Sequence, residues 1–256
     1  MANGVTDEVG TNGTMDSVEV MQHIPADIQQ PSDSNDGRRV SLVEWLWIGP
    51  LAAAVVWTTA CGTPVSPTRS SGPPTQSLAR IVVLGDSLAV SPSTDQNFAT
   101  ELQSRIVREG LSWSVTNASV SGDTTADGLR RAEPLLATDV GVLTIELGAN
   151  DGLDGIDTPT IERNLSAIID LAQRRRIRVL LCGMETPPTH GLDYSIAFHR
   201  IFPALAQRYA VALVPFLLAD VVLRPEMNGP DGVHPNAAGA HQIAATVWPY
   251  LEPLLK

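Results

Sequence analysis

The stretch Arg80-Ile81-Val82-Val83-Leu84-Gly85-Asp86-Ser87-Leu88 decides how the rest of the chain is read. Ile81 to Leu84 is an unbroken apolar, mostly β-branched run, the mark of a parallel strand covered on both faces. Gly85 ends that run and permits a sharp turn. Ser87 then stands at the strand's carboxyl end, where a following helix begins. In open α/β sheets that edge is where ligands bind. A serine there has two readings, N-cap of the next helix or nucleophile.

The same alternation continues downstream. Asp95 to Arg108 is predicted as a helix, with Phe98, Leu102 and Ile106 spaced by four. Trp113–Ala118 reads as a strand, Leu129 to Leu136 as a short helix, and Val140–Leu147 as a third strand. A helix over 158–173 carries Ile161, Leu165, Ile168 and Leu171 on one face. Val179–Met184 is a fourth strand, 193–209 a helix, Val211–Phe216 a fifth strand, and 237–254 a closing helix. Strands and helices alternating in this way imply a parallel sheet with helices on both faces. Right-handed crossovers leave few topologies, and a flavodoxin-like order of about five strands is the expectation. Cys182, inside the fourth strand, reads as a small buried hydrophobe.

Four loops are richer in glycine and polar residues than a turn requires. They are Gly85-Asp86-Ser87-Leu88, Ser119-Val120-Ser121-Gly122-Asp123-Thr124-Thr125, Gly148-Ala149-Asn150-Asp151-Gly152 and Pro230-Asp231-Gly232-Val233-His234-Pro235-Asn236. The first three follow parallel strands and so share one edge of the sheet. The fourth has only to fold back to it. Together they supply the parts of a serine hydrolase. Ser87 needs a neighbouring base, and His234 is the candidate, because imidazole titrates near neutrality. Asp231, three residues earlier, can accept the Nδ1–H of His234 and complete a triad. An oxyanion needs preorganised donors, for which Gly122 offers an open backbone N–H, Asn150 a side-chain amide, and Ser87 its own N–H. For Asp86, Asp123 and Asp151 the default reading is helix or turn capping. His199 and His241 read as helix-surface residues, and Arg174-Arg175-Arg176 as a helix C-terminus matched to its dipole.

Composition narrows the chemistry. The net charge of −11 opposes nucleic-acid binding, which needs a basic face. Lys256 is the only lysine, which removes P-loop, Schiff-base and receiver-domain chemistry at this edge. Two cysteines, Cys61 and Cys182, and five scattered histidines make no metal-ligand pattern. No G-x-S-x-G occurs, so the α/β-hydrolase elbow is not the route to a serine nucleophile.

At these residues the chain resembles the GDSL, or SGNH, hydrolases, named for Ser, Gly, Asn and His in that order. It is similar to the TesA-like branch of thioesterase I, lysophospholipase L1 and arylesterase. The resemblance covers roughly residues 80–255 and includes Val-Ser-Gly-Asp-Thr, Glu-Leu-Gly-Ala-Asn-Asp and Asp-Gly-Val-His-Pro-Asn. It implies a three-layer α/β fold, no cofactor, Ser87 as nucleophile, Asp231 and His234 as its triad partners, and Ser87, Gly122 and Asn150 as oxyanion donors. The implied substrate is a small acyl ester of short or medium chain, with thioesters and lysophospholipids in the same range. Ala89-Val90-Ser91-Pro92-Ser93 departs from the branch's Thr-Ala-Gly-Tyr-Gly, and Thr189-His190-Gly191 from its Asn-Tyr-Gly. His190 there reads either as a border of the acyl pocket or as a solvent-exposed loop residue. Two rival functions share the same residues: a carbohydrate O-deacetylase and an inactive surface-anchored binding module.

The first eighty residues read differently. Residues 1–37 are polar and aperiodic, the pattern of a disordered segment. Residues 38–61 place Arg38-Arg39 before an uncharged run of sixteen, Trp45 to Ala60, and then Cys61-Gly62. Sixteen is short of the roughly 20 that span a bilayer, yet long enough for a signal-peptide core. The order of basic, apolar, small and cysteine resembles a lipoprotein signal with Cys61 as the lipidated residue. A membrane anchor is the alternative, and a buried core helix the bland one. Either membrane reading places the domain outside the cytoplasm, in the periplasm or cell envelope. Residues 62–79 are a Pro/Ser/Thr/Gly tether, and 80–256 the folded hydrolase domain.

Overall fold

The computed structural model describes residues 78–256. The expectations for 1–37, for 38–61 with Cys61, and for all but the end of the tether lie outside the described residues. Strands β1 (Ala79–Gly85), β2 (Trp113–Asn117), β3 (Val140–Glu146), β4 (Arg178–Cys182) and β5 (Ala212–Val214) form one parallel sheet in the order β2-β1-β3-β4-β5. That is the flavodoxin-like order. Among the described residues seven helices accompany it: α1 (Ser87–Val90), α2 (Phe98–Arg108), α3 (Thr125–Leu135), α4 (Ala149–Asp154), α5 (Thr158–Arg174), α6 (Leu192–Tyr209) and α7 (Ala237–Leu251). The step from β1 to β2 runs opposite to the steps from β2 to β3 and onward. Right-handed crossovers therefore put α2 on one face of the sheet and α3, α5 and α6 on the other. Contacts follow that division, with α7 packed on α2 and α5 packed between α3 and α6.

Burial explains why these segments fold as they do. Ile81, Val83 and Leu84 of β1 and Val142, Leu143 and Ile145 of β3 are fully buried, as a doubly covered sheet requires. The α5 stripe Ile161, Leu165, Ile168 and Ile169 is equally buried, each side chain contributing about 1.5–3 kcal/mol. Cys182 is fully buried as well.

Capping moved several boundaries. α2 starts at Phe98 rather than Asp95, because Asn97 accepts the Thr100 N–H at 3.1 Å and is the true cap. α3 starts four residues before Leu129. Thr124 and Asp127 form a reciprocal capping box there, and the Thr124 hydroxyl, its N–H and Arg130 hold the Asp127 carboxyl down at about 2. β5 is only three residues long: the Gly183 carbonyl accepts the Leu217 N–H instead of the Phe216 N–H that a continuing ladder would supply. The closing helix ends at Leu251 and passes into a 3-10 turn over Glu252–Leu255.

The strand order reverses between β1 and β3, which lie side by side. A crevice opens outside the carboxyl ends of strands at such a point. The loops after β1, β2 and β3 all reach it.

Candidate active site

The turn that carries Ser87 is built by close approach. A Cβ on Gly85 would sit 2.2 Å from Glu146 Oε2, so no larger residue fits between β1 and β3 there. Asp86 then donates its N–H to Glu146 Oε2 at 3.1 Å and accepts the Leu88 N–H on Oδ1 at 3.0 Å. Asp86 is thus the cap of α1, as the sequence reading held, and Ser87 is the first residue of that short helix. The divergent segment after it is pinned locally: Ser91 Oγ donates to the Ser87 carbonyl at 2.7 Å, and Asn117 Nδ2 donates to the Ala89 carbonyl at 2.7 Å.

The fourth loop returns to this edge as a self-contained turn. Asn228 and Pro235 form an antiparallel bridge, and the Gly229 N–H donates to the His234 carbonyl at 2.8 Å. Asn236 caps α7 through the Gly239 N–H and donates its amide to the Glu226 and Asn228 carbonyls. Inside the turn, Asp231 Oδ1 accepts the Val233 and His234 N–H groups, both at 3.0 Å. Asp231 Oδ2 lies 2.7 Å from His234 Nδ1, and His234 Nε2 lies 2.9 Å from Ser87 Oγ. The His234 side-chain bond, followed by the two backbone bonds, holds the Asp231 carboxyl well below the usual carboxylate range. Asp231 therefore stays ionised and accepts the Nδ1–H, leaving Nε2 as the acceptor that faces Ser87. The His234 and Asp231 side chains remain 40% and 51% exposed, so the edge is open to substrate.

The other side of Ser87 carries donors. Gly122 is exposed and sits at φ +83°, where glycine is favoured. Among the described residues no acceptor takes the Ser87 or Gly122 N–H. Asn150 belongs to α4, a helix that the sequence reading left inside a loop. Its Nδ2 donates to the Asp123 carbonyl at 2.9 Å and to Asp86 Oδ2 at 3.2 Å. Asn150 thereby ties the loops after β1, β2 and β3 together.

Capping proved wrong for the other two aspartates. Asp123 pairs with Arg131, and Thr124 is the cap of α3. Asp151 lies within α4 and accepts the Thr125 N–H at 2.8 Å and the Thr125 hydroxyl at 2.5 Å. It satisfies the first turn of a different helix. Burial, partly offset by those bonds, raises its carboxyl above the ordinary value.

A pair of buried acids, Asp86 and Glu146, lies beside Ser87. Burial pushes Asp86 up to about 7, against the Leu88 N–H and the nearby His234, while Asp123 and Asp151 push the same way as burial. Glu146 is fully buried and is raised well above the usual range by burial first and by Asp86 second. Its Oε1 finds no hydrogen-bond partner among the described residues. Sequence reading passed over Glu146, although a carboxylate ending an apolar strand was a signal. It also passed over Arg131, Asn228 and Asn236, whose partners are far away in sequence or are backbone carbonyls.

The remaining histidines lie away from Ser87 and Asp231. His199 pairs with Glu185 at 2.6 Å and His241 with Glu101 at 3.0 Å, both on the surface. His190 is exposed, its Nε2 2.8 Å from the Leu153 carbonyl and its ring close against Gly155. The Arg174–Arg176 cluster does end α5, with Arg175 donating to the Glu133 and Leu136 carbonyls. No group of three metal-ligating side chains occurs among the described residues.

A three-layer α/β sheet with serine, histidine and aspartate in hydrogen-bonded sequence at its carboxyl edge defines a class of hydrolase folds. Comparison with known proteins gives the family. Residues 83–242 match the GDSL-like Lipase/Acylhydrolase family, and the chain belongs to it. Esterase TesA of Pseudomonas aeruginosa is 41% identical over 178 residues, which are 68% of this chain and 89% of that protein. Thioesterase 1/protease 1/lysophospholipase L1 of Escherichia coli is 37% identical over 143 residues, 56% of this chain and 69% of that one. A crystal structure of TesA superposes with a TM-score of 0.66 at 40% identity, covering 69% of this chain and 99% of TesA. The chain is a carboxylic ester hydrolase.

Proposed function

We propose that this hydrolase works through a Ser87–His234–Asp231 triad and an acyl-enzyme, on esters of short or medium acyl chains. The observation that carries the reading is the pair of bonds at 2.9 and 2.7 Å that link Ser87 Oγ, His234 and Asp231 in a line. His234 Nε2 takes the Ser87 proton as Oγ attacks the acyl carbonyl, and Asp231 stabilises the imidazolium that forms. The developing oxyanion is met by the unpaired Ser87 and Gly122 N–H groups. Asn150 adds a third donor when the substrate oxygen takes over the longer of its two bonds, the 3.2 Å contact to Asp86. His234 then protonates the leaving group, and water repeats the cycle on the acyl-enzyme.

The names of the relatives bring thioesters and lysophospholipids into the same proposal, because Ser87 would attack the acyl carbonyl in the same way in an oxygen ester and in a thioester. An export signal or anchor at residues 38–61, with Cys61 as lipidation site, would hold the domain at the cell envelope. Hydrolysis of p-nitrophenyl acetate through decanoate by wild type and Ser87→Ala tests the core of the reading. Turnover should fall by about 10⁴-fold or more in the variant. Equal rates in the two proteins would remove Ser87 from the chemistry.

A further inference from the structure

Arg131 is the one side chain among the described residues that bonds the ends of both β1 and β2. From α3 it reaches back over the sheet edge and spreads its guanidinium over three acceptors. Nη2 donates to the Gly85 carbonyl at 3.0 Å, Nη1 to the Ala118 carbonyl, and Nε to Asp123 Oδ2. Gly85 is the last residue of β1, and Ala118 follows the last residue of β2. Asp123 follows Gly122. The neighbouring Arg130 shows what an ordinary surface arginine does here: it is 71% exposed and pairs with Asp127 on its own helix. The Arg131 side chain is 24% exposed, and its three bonds all reach residues outside α3.

Asp123 transmits that grip. Its N–H donates to the Val120 carbonyl at 3.1 Å and closes the turn that contains Gly122. Its carbonyl accepts Asn150 Nδ2 at 2.9 Å. The Val120 N–H donates to the same Gly85 carbonyl that Arg131 holds. The Gly122 N–H and the Asn150 amide are therefore both one residue or one bond away from a group fixed by Arg131.

We propose that Arg131 is the positioning residue of the oxyanion hole. It never touches substrate. Its planar fork sets the 118–123 turn against the nucleophile turn, so that Gly122 and Asn150 meet the oxyanion already in place. A lysine replaces it only in part, because one ammonium does not span three acceptors in a fixed plane. The proposal rests on the reading of Ser87 and its oxyanion donors given above.

The test uses the full chain with Arg131→Ala, Arg131→Lys and Asp123→Asn beside Ser87→Ala and Asn150→Ala. Active sites are titrated with a fluorophosphonate, so that kcat is expressed per reactive Ser87 and misfolded protein drops out. Arg131→Ala should lower kcat per site by about 100-fold and change KM by less than about threefold. Arg131→Lys should recover only part of that loss, and guanidinium ion added to Arg131→Ala should restore activity saturably. Because Arg131 acts partly through Asn150, Arg131→Ala/Asn150→Ala should lose less than the product of the two single losses. If Arg131→Ala does not fold, Asp123→Asn carries the test, with a drop in kcat per site of about tenfold at unchanged KM. A kcat per titrated site equal to wild type in Arg131→Ala, or in Asp123→Asn where the former is unfolded, overturns the proposal. A loss that appears only in KM does the same. Should Ser87→Ala turn over at the wild-type rate, the triad reading itself falls. A dead Ser87→Ala beside a fully active Arg131→Ala removes only the role of Arg131.

Discussion

The two sides of the site are held in different ways. On the nucleophile side, Asp86, Asn150, Asp151, Asp123 and Arg131 each make a bond to a partner 8 to 64 residues away, and these bonds are buried or partly so. On the base side, Asp231 and His234 lie in one exposed turn, and the bonds that Asp231 makes inside it span three residues or fewer. One half of the site is therefore a product of the whole sheet. The other is a local motif delivered by the bridge at Asn228–Pro235 and the cap at Asn236. A consequence follows for mutations. Changes on the base side should act on chemistry and spare stability, whereas changes on the nucleophile side should disturb both.

His234→Ala gives the largest separation of the two. Loss of the base should cost on the order of 10⁴ to 10⁶ in kcat. The melting temperature should stay near that of wild type, because a side chain 40% exposed contributes little burial. Parallel esterase and thermal-unfolding measurements check it, and a large drop in melting temperature would show that the turn is not self-supporting. Asn150→Ala is the counterpart across the cleft. It should cost about 10² to 10³ in kcat as an oxyanion donor. It should also destabilise by about 1–3 kcal/mol, since it strips a partner from buried Asp86 and from the Asp123 carbonyl. Denaturant unfolding beside kinetics would sharpen or erase the contrast with His234.

The smallest effect is the most specific. Glu146 and Asp86 have carboxyls raised by burial, so the folded state binds their protons more tightly than the unfolded chain. Their stabilising contribution is full below the unfolded values near 4 and drains as pH rises through the folded ones. For Asp86 that window closes at about 7, and for Glu146 it extends higher. Glu146→Gln keeps an acceptor for the Asp86 N–H but cannot ionise. Its melting temperature should fall less steeply than that of wild type between pH 5 and 9, with the two curves converging at low pH. Parallel curves would mean that Glu146 is not titrating in that range.

How much of this was legible depended on the range of the interaction. The four polar loops after apolar runs announced Ser87, Gly122, Asn150, Asp231 and His234 as one set, and the structure brings all five to one edge. The capping box at Thr124 and Asp127 was local, spelled by residues three apart, and still was not read. Glu146 was visible as a lone carboxylate closing an apolar strand. Arg131 looked no different from Arg130, because nothing in a helix sequence says which arginine turns inward. Asp123 and Asp151 were misread as caps for the same reason, their true partners being 8 and 26 residues distant.

By itself the sequence determined the parallel α/β class, the strand that leads into Ser87, and the residue types gathered at its edge. These follow from periodicity and composition, which short-range physics writes into neighbouring residues. The tertiary structure alone decided that Nε2 of His234 reaches Ser87, that Asn150 bridges three loops, and that one guanidinium locks two strand ends. Such contacts depend on how strands far apart in the chain are ordered in the sheet, and that order comes from the joint packing of all its elements.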